Sequence, residues 1–119
     1  MKHVLLVDDI QVNLDILEKM FQLYVDDEVK LHMANSVKEA LLIHDQLVNN
    51  GYAVDLIISD LQMPELSGED LFHSLDRANI FKGKFVFLTG FEDFKKEGAD
   101  VYYKPLTKKK LNEIVDGVL

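Results

Sequence analysis

Apolar residues in this chain follow two rhythms in turn. Five short blocks carry near-continuous apolar runs: "HVLLV" (3–7), "VKLHMA" (29–34), "VDLIIS" (54–59), "KFVFL" (84–88) and "VYYK" (101–104). Unbroken runs of that length suit strands covered on both faces. Between them the period lengthens. Ile10, Leu14, Leu17, Phe21 and Tyr24 recur at steps of four and three, with Val12, Ile16, Met20 and Leu23 widening the stripe. That spacing predicts an amphipathic helix. Ser36 followed by Glu39 forms a capping-box pair, so a second helix is expected to run to about Val48 and stop at "NNG" (49–51). "SGEDLFHSLDRA" (67–78) reads as a third helix. Thr107 offers an N-cap for a last one, with Leu106 and Leu111 spaced as a hydrophobic staple.

Strands alternating with helices imply right-handed crossovers and a parallel sheet. The expected architecture is a single α/β domain over residues 1–119, flavodoxin-like (βα)5, with five parallel strands in the order 2-1-3-4-5. Ligands on such sheets bind beyond the carboxyl ends of the strands, at the switch point between strands one and three. One connection breaks the rhythm. Only "GFEDFKKEGAD" (90–100) separates strand four from Val101. A parallel crossover usually takes a dozen residues or more, helix included. The helix there is expected to be shortened or irregular, confined to about residues 92–97.

Composition narrows the function classes. The formal charge of −8 argues against nucleic-acid binding, which needs clustered cations on the phosphates. Cysteine is absent, which removes disulfides and thiolate metal sites and suits a cytoplasmic setting. No apolar run approaches the roughly 18 residues of a membrane span, and "MKHVLLVDD" lacks the long apolar stretch of a secretory leader. An acidic chain of this kind is suited to hold a cation or dock a basic partner.

The chemistry gathers at the strand ends. Asp8 and Asp9 follow strand one, Asp60 follows strand three, Thr89 follows strand four, and Lys104 closes strand five before Pro105. Taken singly these are ordinary: an Asp pair in a turn, a Thr in a strand, a surface Lys. On one rim of a parallel sheet they become a constellation. Two like charges about 4 Å apart repel by about 4 kcal/mol at an effective dielectric of 20. Three carboxylates therefore call for cations. Lys104 supplies one, and an all-oxygen site favours Mg²⁺ as the other. A carboxylate beside such cations is a nucleophile for a phosphoryl group. Asp60 is the candidate, with the Thr89 hydroxyl as a hydrogen-bond donor to the product and Gly90 leaving room for it.

These residues, in the segments "LLVDDIQVN", "DLIISDLQMPELSG", "FLTG", "GAD" and "YKP", make the chain resemble the receiver domain of two-component signalling proteins over essentially its whole length. "VDDIQVN" and "DLQMPELSG" are most similar to receivers attached to, or served by, hybrid histidine kinases. The resemblance implies a phosphorylation switch rather than a turnover enzyme, one that catalyses its own phosphorylation and dephosphorylation. Asp60 would accept the phosphoryl group from a histidine kinase or histidine phosphotransfer protein. Asp9 would bind Mg²⁺ directly and Asp8 directly or through water, and Gln62 would offer its backbone carbonyl. Thr89 would be the switch hydroxyl, and Lys104 would contact the phosphoryl group beside a cis Lys104–Pro105 bond. The family uses its fourth helix, fifth strand and fifth helix for output and homodimer contacts. It usually sets a Tyr or Phe three residues before the Lys; here Val101 stands there, so Tyr102, ahead of Tyr103, is expected to serve as the aromatic switch.

Other readings fare worse. A haloacid-dehalogenase-like phosphatase wants a second Asp at the position of Gln62. A flavodoxin wants a Ser/Thr/Gly loop where "DDIQVN" would repel its phosphate. A phosphorylation-independent interaction module stays as the alternative, because of the short fourth crossover. His3, His32, His44 and His73 lack ligand spacing and are expected at the surface or at edges. Met20, Met33 and Met63 are expected to fill core or loop space. "KKK" (108–110) opposes the dipole of the last helix; a solvated face is the simple account, a docking patch for an acidic surface the sharper one.

Overall fold

A computed structural model describes residues 1–26 and 28–119. Among the described residues nine elements follow in chain order: β1 Lys2–Val7, α1 Gln11–Tyr24, β2 Val29–Ala34, α2 Val37–Asn49, β3 Leu56–Ser59, α3 Gly68–Ala78, β4 Lys84–Thr89, β5 Asp100–Tyr103 and α4 Lys108–Val115. The strands form one parallel sheet in the order β2-β1-β3-β4-β5, as the rhythm of the chain implied.

Alternation along each strand sorts the core into two layers. Leu5 and Val7 of β1, Ile57 of β3, and Phe85 and Phe87 of β4 pack with Val37 and Ala40 of α2 and Leu71 and Leu75 of α3. Val4, Leu6, Leu56, Ile58, Val86 and Leu88 face the other way. They pack with Leu14, Leu17 and Phe21 of α1 and Leu111 and Ile114 of α4. Both faces of the central strands are thus buried, which explains their unbroken apolar runs.

The helix ends follow local chemistry. The Ser36 hydroxyl accepts the Glu39 N–H at 3.1 Å, while the Glu39 carboxylate takes the N–H of Asn35, one residue before the cap. Ser67 and Asp70 form a full reciprocal capping box at the start of α3. Thr107 accepts the N–H of Lys110, and Leu106 packs in the same layer as Leu111.

The fourth crossover departs further than expected. Residues 90–99 hold no helix, only turns around residues 92–93 and 97–98. Gly98 takes a left-handed φ of 85°, a region open to Gly at little cost. The ten residues between β4 and β5 are too few for a helix plus its two ends, so discrete side-chain contacts replace it. The Phe94 ring packs edge-on to Phe87, centroids 5.1 Å apart. The Tyr103 hydroxyl donates to the Phe94 carbonyl at 2.8 Å. Lys96 reaches Glu69 at 3.2 Å and His73 at 2.9 Å on α3, with its ammonium over the Phe72 ring.

Two histidines also depart from expectation. His3 and His44 are buried, His44 to 1% exposure. His3 lies on a central strand, and His44 is on the core-facing stripe of α2. The Met residues behave as filler: Met63 packs on one core layer, Met20 and Met33 on the other.

Candidate functional site

Register builds the rim. The Asp8 N–H bonds to the Ala34 carbonyl at 3.1 Å, Asp60 N–H to Val7 at 2.9 Å, and Lys104 N–H to Thr89 at 2.8 Å. Each ladder thus continues one residue past its strand and fixes a candidate site residue at the carboxyl edge. Asp8, Asp9 and Asp60 each offer a carboxylate oxygen, and these lie within 4.8 Å of one another. The Lys104 ammonium stands 3.6 Å from Asp60 Oδ1 and 3.9 Å from Asp8 Oδ2. Thr89, Gly90, Gln62, Asp60 and Lys104 share one shallow depression with Phe91. The sequence-predicted residues therefore converge, with one exception.

That exception is Tyr102. Thr89 pairs with Tyr103, and Tyr102 pairs with Leu88. Tyr102 packs with the α1 and α4 layer. Tyr103 points to the opposite face, the one that Thr89 shares by alternation. Strand β5 begins at Asp100 and ends at Tyr103, one residue earlier than expected. The pairing with Thr89, not the position of the strand's ends, puts Tyr103 rather than Tyr102 on the Thr89 side.

The carboxylates are oriented by different means. Asp8 is buried; its Oδ1 accepts the Ile10 N–H at 2.9 Å and its Oδ2 the Asn13 amide at 3.1 Å. It thereby serves a free N–H at the start of α1, whose cap position Ile10 has no side chain to do so. Asp60 Oδ1 accepts its neighbour's Leu61 N–H at 2.8 Å. Burial pushes the Asp60 carboxyl above its ordinary value; Lys104 pulls it down, Asp8 raises it, the Leu61 bond lowers it and Asp9 raises it. The Thr89 hydroxyl accepts the Phe91 N–H at 3.1 Å. The Lys104–Pro105 peptide bond is cis.

One contributor escaped the sequence reading. A Cβ on Gly68 would lie 2.3 Å from the Asp60 carbonyl oxygen and 3.1 Å from Ser59 Oγ. The first turn of α3 therefore presses against the backbone that carries Asp60, and only Gly fits. The Ser59 hydroxyl donates to that same carbonyl at 2.8 Å. The signal in the sequence was a Gly directly after a helix cap, eight residues past the candidate nucleophile. Gly90, by contrast, has nothing within 4 Å of an added Cβ.

The lysine run is largely committed to the fold. Lys110 donates to the Tyr103 and Pro105 carbonyls at 2.7 and 3.1 Å, and Lys108 lies over the Tyr24 ring at 5.4 Å. The contact from Lys110 steadies the turn that carries Lys104.

Fold and rim together define a flavodoxin-like α/β domain with an acidic, lysine-bridged pocket at its switch point. The chain belongs to the response regulator receiver domain family of two-component signalling, whose family model matches residues 4–116. It is 29% identical over 118 residues to the transcriptional regulatory protein BtsR of Salmonella typhi, an alignment taking 95% of this chain and 46% of the relative. The chain thus spans just under half the length of the curated relatives it matches. Among solved structures it superposes on a response regulator receiver domain protein from Clostridium thermocellum with a TM-score of 0.83 and 25% identity, covering 99% of this chain and 94% of that one. A two component response regulator from Cytophaga hutchinsonii gives a TM-score of 0.84 at 21% identity, covering 99% and 96%, a likeness of fold.

Proposed function

We propose that the chain is the phosphoacceptor switch of a cytoplasmic two-component system and that Asp60 is the residue modified. The observation that carries this reading is the approach of Lys104 to within 3.6 Å of Asp60 beside Asp8 and Asp9. A carboxylate oxygen of Asp60 forms a bond to phosphorus as the phosphorus–nitrogen bond of a phosphohistidine breaks and the imidazole leaves. The donor is a histidine kinase or histidine phosphotransfer protein. Lys104 holds charge on the transferring oxygens, and the Thr89 hydroxyl turns from its Phe91 N–H to donate to the new phosphoryl group.

The donor set fits a Mg²⁺ ion. It is all oxygen, its carboxylate oxygens lie within 4.8 Å of one another, and mutual repulsion is among the causes that raise Asp60. Asp8, Asp9, Asp60 and the backbone carbonyl of Gln62 would hold it, and when bound it neutralises charge on the phosphoryl oxygens.

Tyr103 is the better aromatic partner for Thr89. Its hydroxyl is tied to Phe94, so a Thr89 that turns toward phosphate disturbs the strand that anchors the helix-free crossover. A phosphoryl group adds about −1.5 to −2 charges at neutral pH, and a state gap of a few kcal/mol is then enough to shift populations.

Incubation with Mg²⁺ and a small acyl phosphate or a phosphoramidate tests the proposal by mass spectrometry. One added phosphoryl mass, removed by hydroxylamine and absent from Asp60→Asn, is the expected outcome. No adduct would favour a phosphorylation-independent interaction module, and continuous phosphate release at enzyme-like rates would favour a phosphatase.

A further inference from the structure

The amino edge of the sheet, at the other end of β1 from Asp8, gathers three of the four histidines of the chain. Five residue steps along the strand separate His3 from Asp8, a span of roughly 16 Å. His3 Nδ1 and His32 Nε2 lie 2.9 Å apart. Their ring centroids are 5.2 Å apart and their planes differ by 20°. The difference between those two distances is what two centroid-to-nitrogen radii occupy when both nitrogens sit on the line joining the rings. The rings therefore meet head-on, nearly coplanar, with one lone pair aimed at the other ring's nitrogen. One proton fits between them. A metal ion does not: on that line, bonds of roughly 2.0 Å would force the nitrogens about 4 Å apart.

Tyr52, in the α2–β3 connection, lies against the His3 ring with centroids 4.8 Å apart. It also lines a cavity of about 220 Å³ with Phe81, Lys82, Gly83, Asp55 and His44. His44 is sealed beneath, edge-on to Phe81, and neither of its ring nitrogens has a hydrogen-bond partner among the described residues. A neutral imidazole leaves a donor and an acceptor unmet there, and an imidazolium would leave two donors unmet.

The charges facing this cluster do little to offset protonation. Asp55 accepts the His3 backbone N–H but is engaged by Lys2. Lys30 on β2 bears on His32, and Asp45 lies beside His44 on α2. Lys82 is tied to Asn79 in the α3–β4 connection, and Asp76 of α3 flanks Phe81. Burial lowers His32, helped by His3 and Lys30; burial lowers His44 against a smaller opposing pull from Asp45.

We propose that this edge is an acid-released latch. At neutral pH the shared proton ties β1 to β2 and seats Tyr52, while Phe81 seals His44. When a proton reaches both facing nitrogens of the His3–His32 pair, two N–H groups confront each other and the bridge parts. A proton reaches His44 only when Phe81 moves aside. Both events loosen the α2–β3 and α3–β4 connections and leave the phosphoacceptor rim in place.

Amide exchange on the intact chain tests this, corrected for intrinsic chemistry. The reporters are the N–H groups of Tyr52, Asp55 and Lys84, bonded to Leu47, His3 and Asp55. Between about pH 7.5 and about pH 5.5 their protection should fall at least roughly tenfold, with Leu14 and Leu17 of α1 unchanged. The double variant His32→Gln, His44→Leu should abolish the fall. Each single variant should reduce it. Protection that is pH-independent, that falls equally throughout the chain, or that still falls in the double variant would overturn the proposal.

Discussion

The two ends of the sheet treat buried titratable groups in opposite ways. At the carboxyl rim, Asp8 and Asp60 keep partners for their charge: backbone N–H groups, the Asn13 amide and the Lys104 ammonium. At the amino edge, His32 and His44 lie where burial disfavours their charged forms, and His44 has no partner among the described residues. Burial pushes each kind of group toward neutrality. The difference lies in what compensates. Fixed donors and a cation offset the burial of negative charge at one end; at the other, His44 is left without any such partner among the described residues.

Three further changes sharpen or break this contrast. The largest effect is expected at the rim. Lys104→Met removes the cation shared by Asp8 and Asp60 and should slow acyl-phosphate-driven phosphorylation by roughly 100-fold or more, read as the rate of adduct formation. A rate within about threefold of the parent would mean that the carboxylates need no fixed cation.

Next comes Gly68→Ala. Its Cβ would meet the Asp60 carbonyl at 2.3 Å, so unfolding in urea should show a loss of about 1–3 kcal/mol. Phosphorylation should slow as well, because the displaced backbone carries Asp60, the proposed phosphoacceptor. Normal rates with lowered stability would separate the packing of α3 from the aim of Asp60.

The smallest effect has the opposite sign. His44→Leu replaces an unpartnered imidazole with an apolar side chain of similar size and should raise stability by about 1 kcal/mol near neutral pH. The advantage should grow in acid. His44 is lowered from 6.5 in the folded chain, so as pH falls the unfolded chain takes up the proton first. Its contribution is therefore fully present above pH 6.5 and declines as pH falls toward the folded value. Thermal unfolding across that range measures it, and parallel curves for the two proteins would remove His44 from the account.

Much of the molecule was legible because its signals are periodic or local. Strand runs, the Leu14, Leu17 and Phe21 part of the α1 stripe and the Ser36 and Thr107 caps depend on neighbours within a few residues, whereas Ile10, Val12, Ile16, Leu23 and Tyr24, counted in that stripe, are exposed. The rim was legible because a parallel sheet delivers every strand end to one edge, so order alone brings Asp8, Asp60, Thr89 and Lys104 together. What stayed hidden depends on long-range fit. Nothing near His44 in the sequence says that Phe81 will cover it. The pairing of His3 with His32 crosses 29 residues. Gly68 reads as an ordinary helix start until the Asp60 carbonyl is beside it. Tyr102 and Tyr103 are adjacent in sequence, and only the pairing of β4 with β5 decides which of them shares a face with Thr89.

The helix-free crossover has a consequence for how a signal could leave the rim. An α-helix forms and melts as a cooperative unit because its nucleus is costly. Residues 90–99 are instead pegged down by the Phe94 ring, the Tyr103 hydroxyl and the Lys96 ammonium, and separate pegs let go one at a time. A surface built this way would yield in stages, where a helical one would let go as a unit.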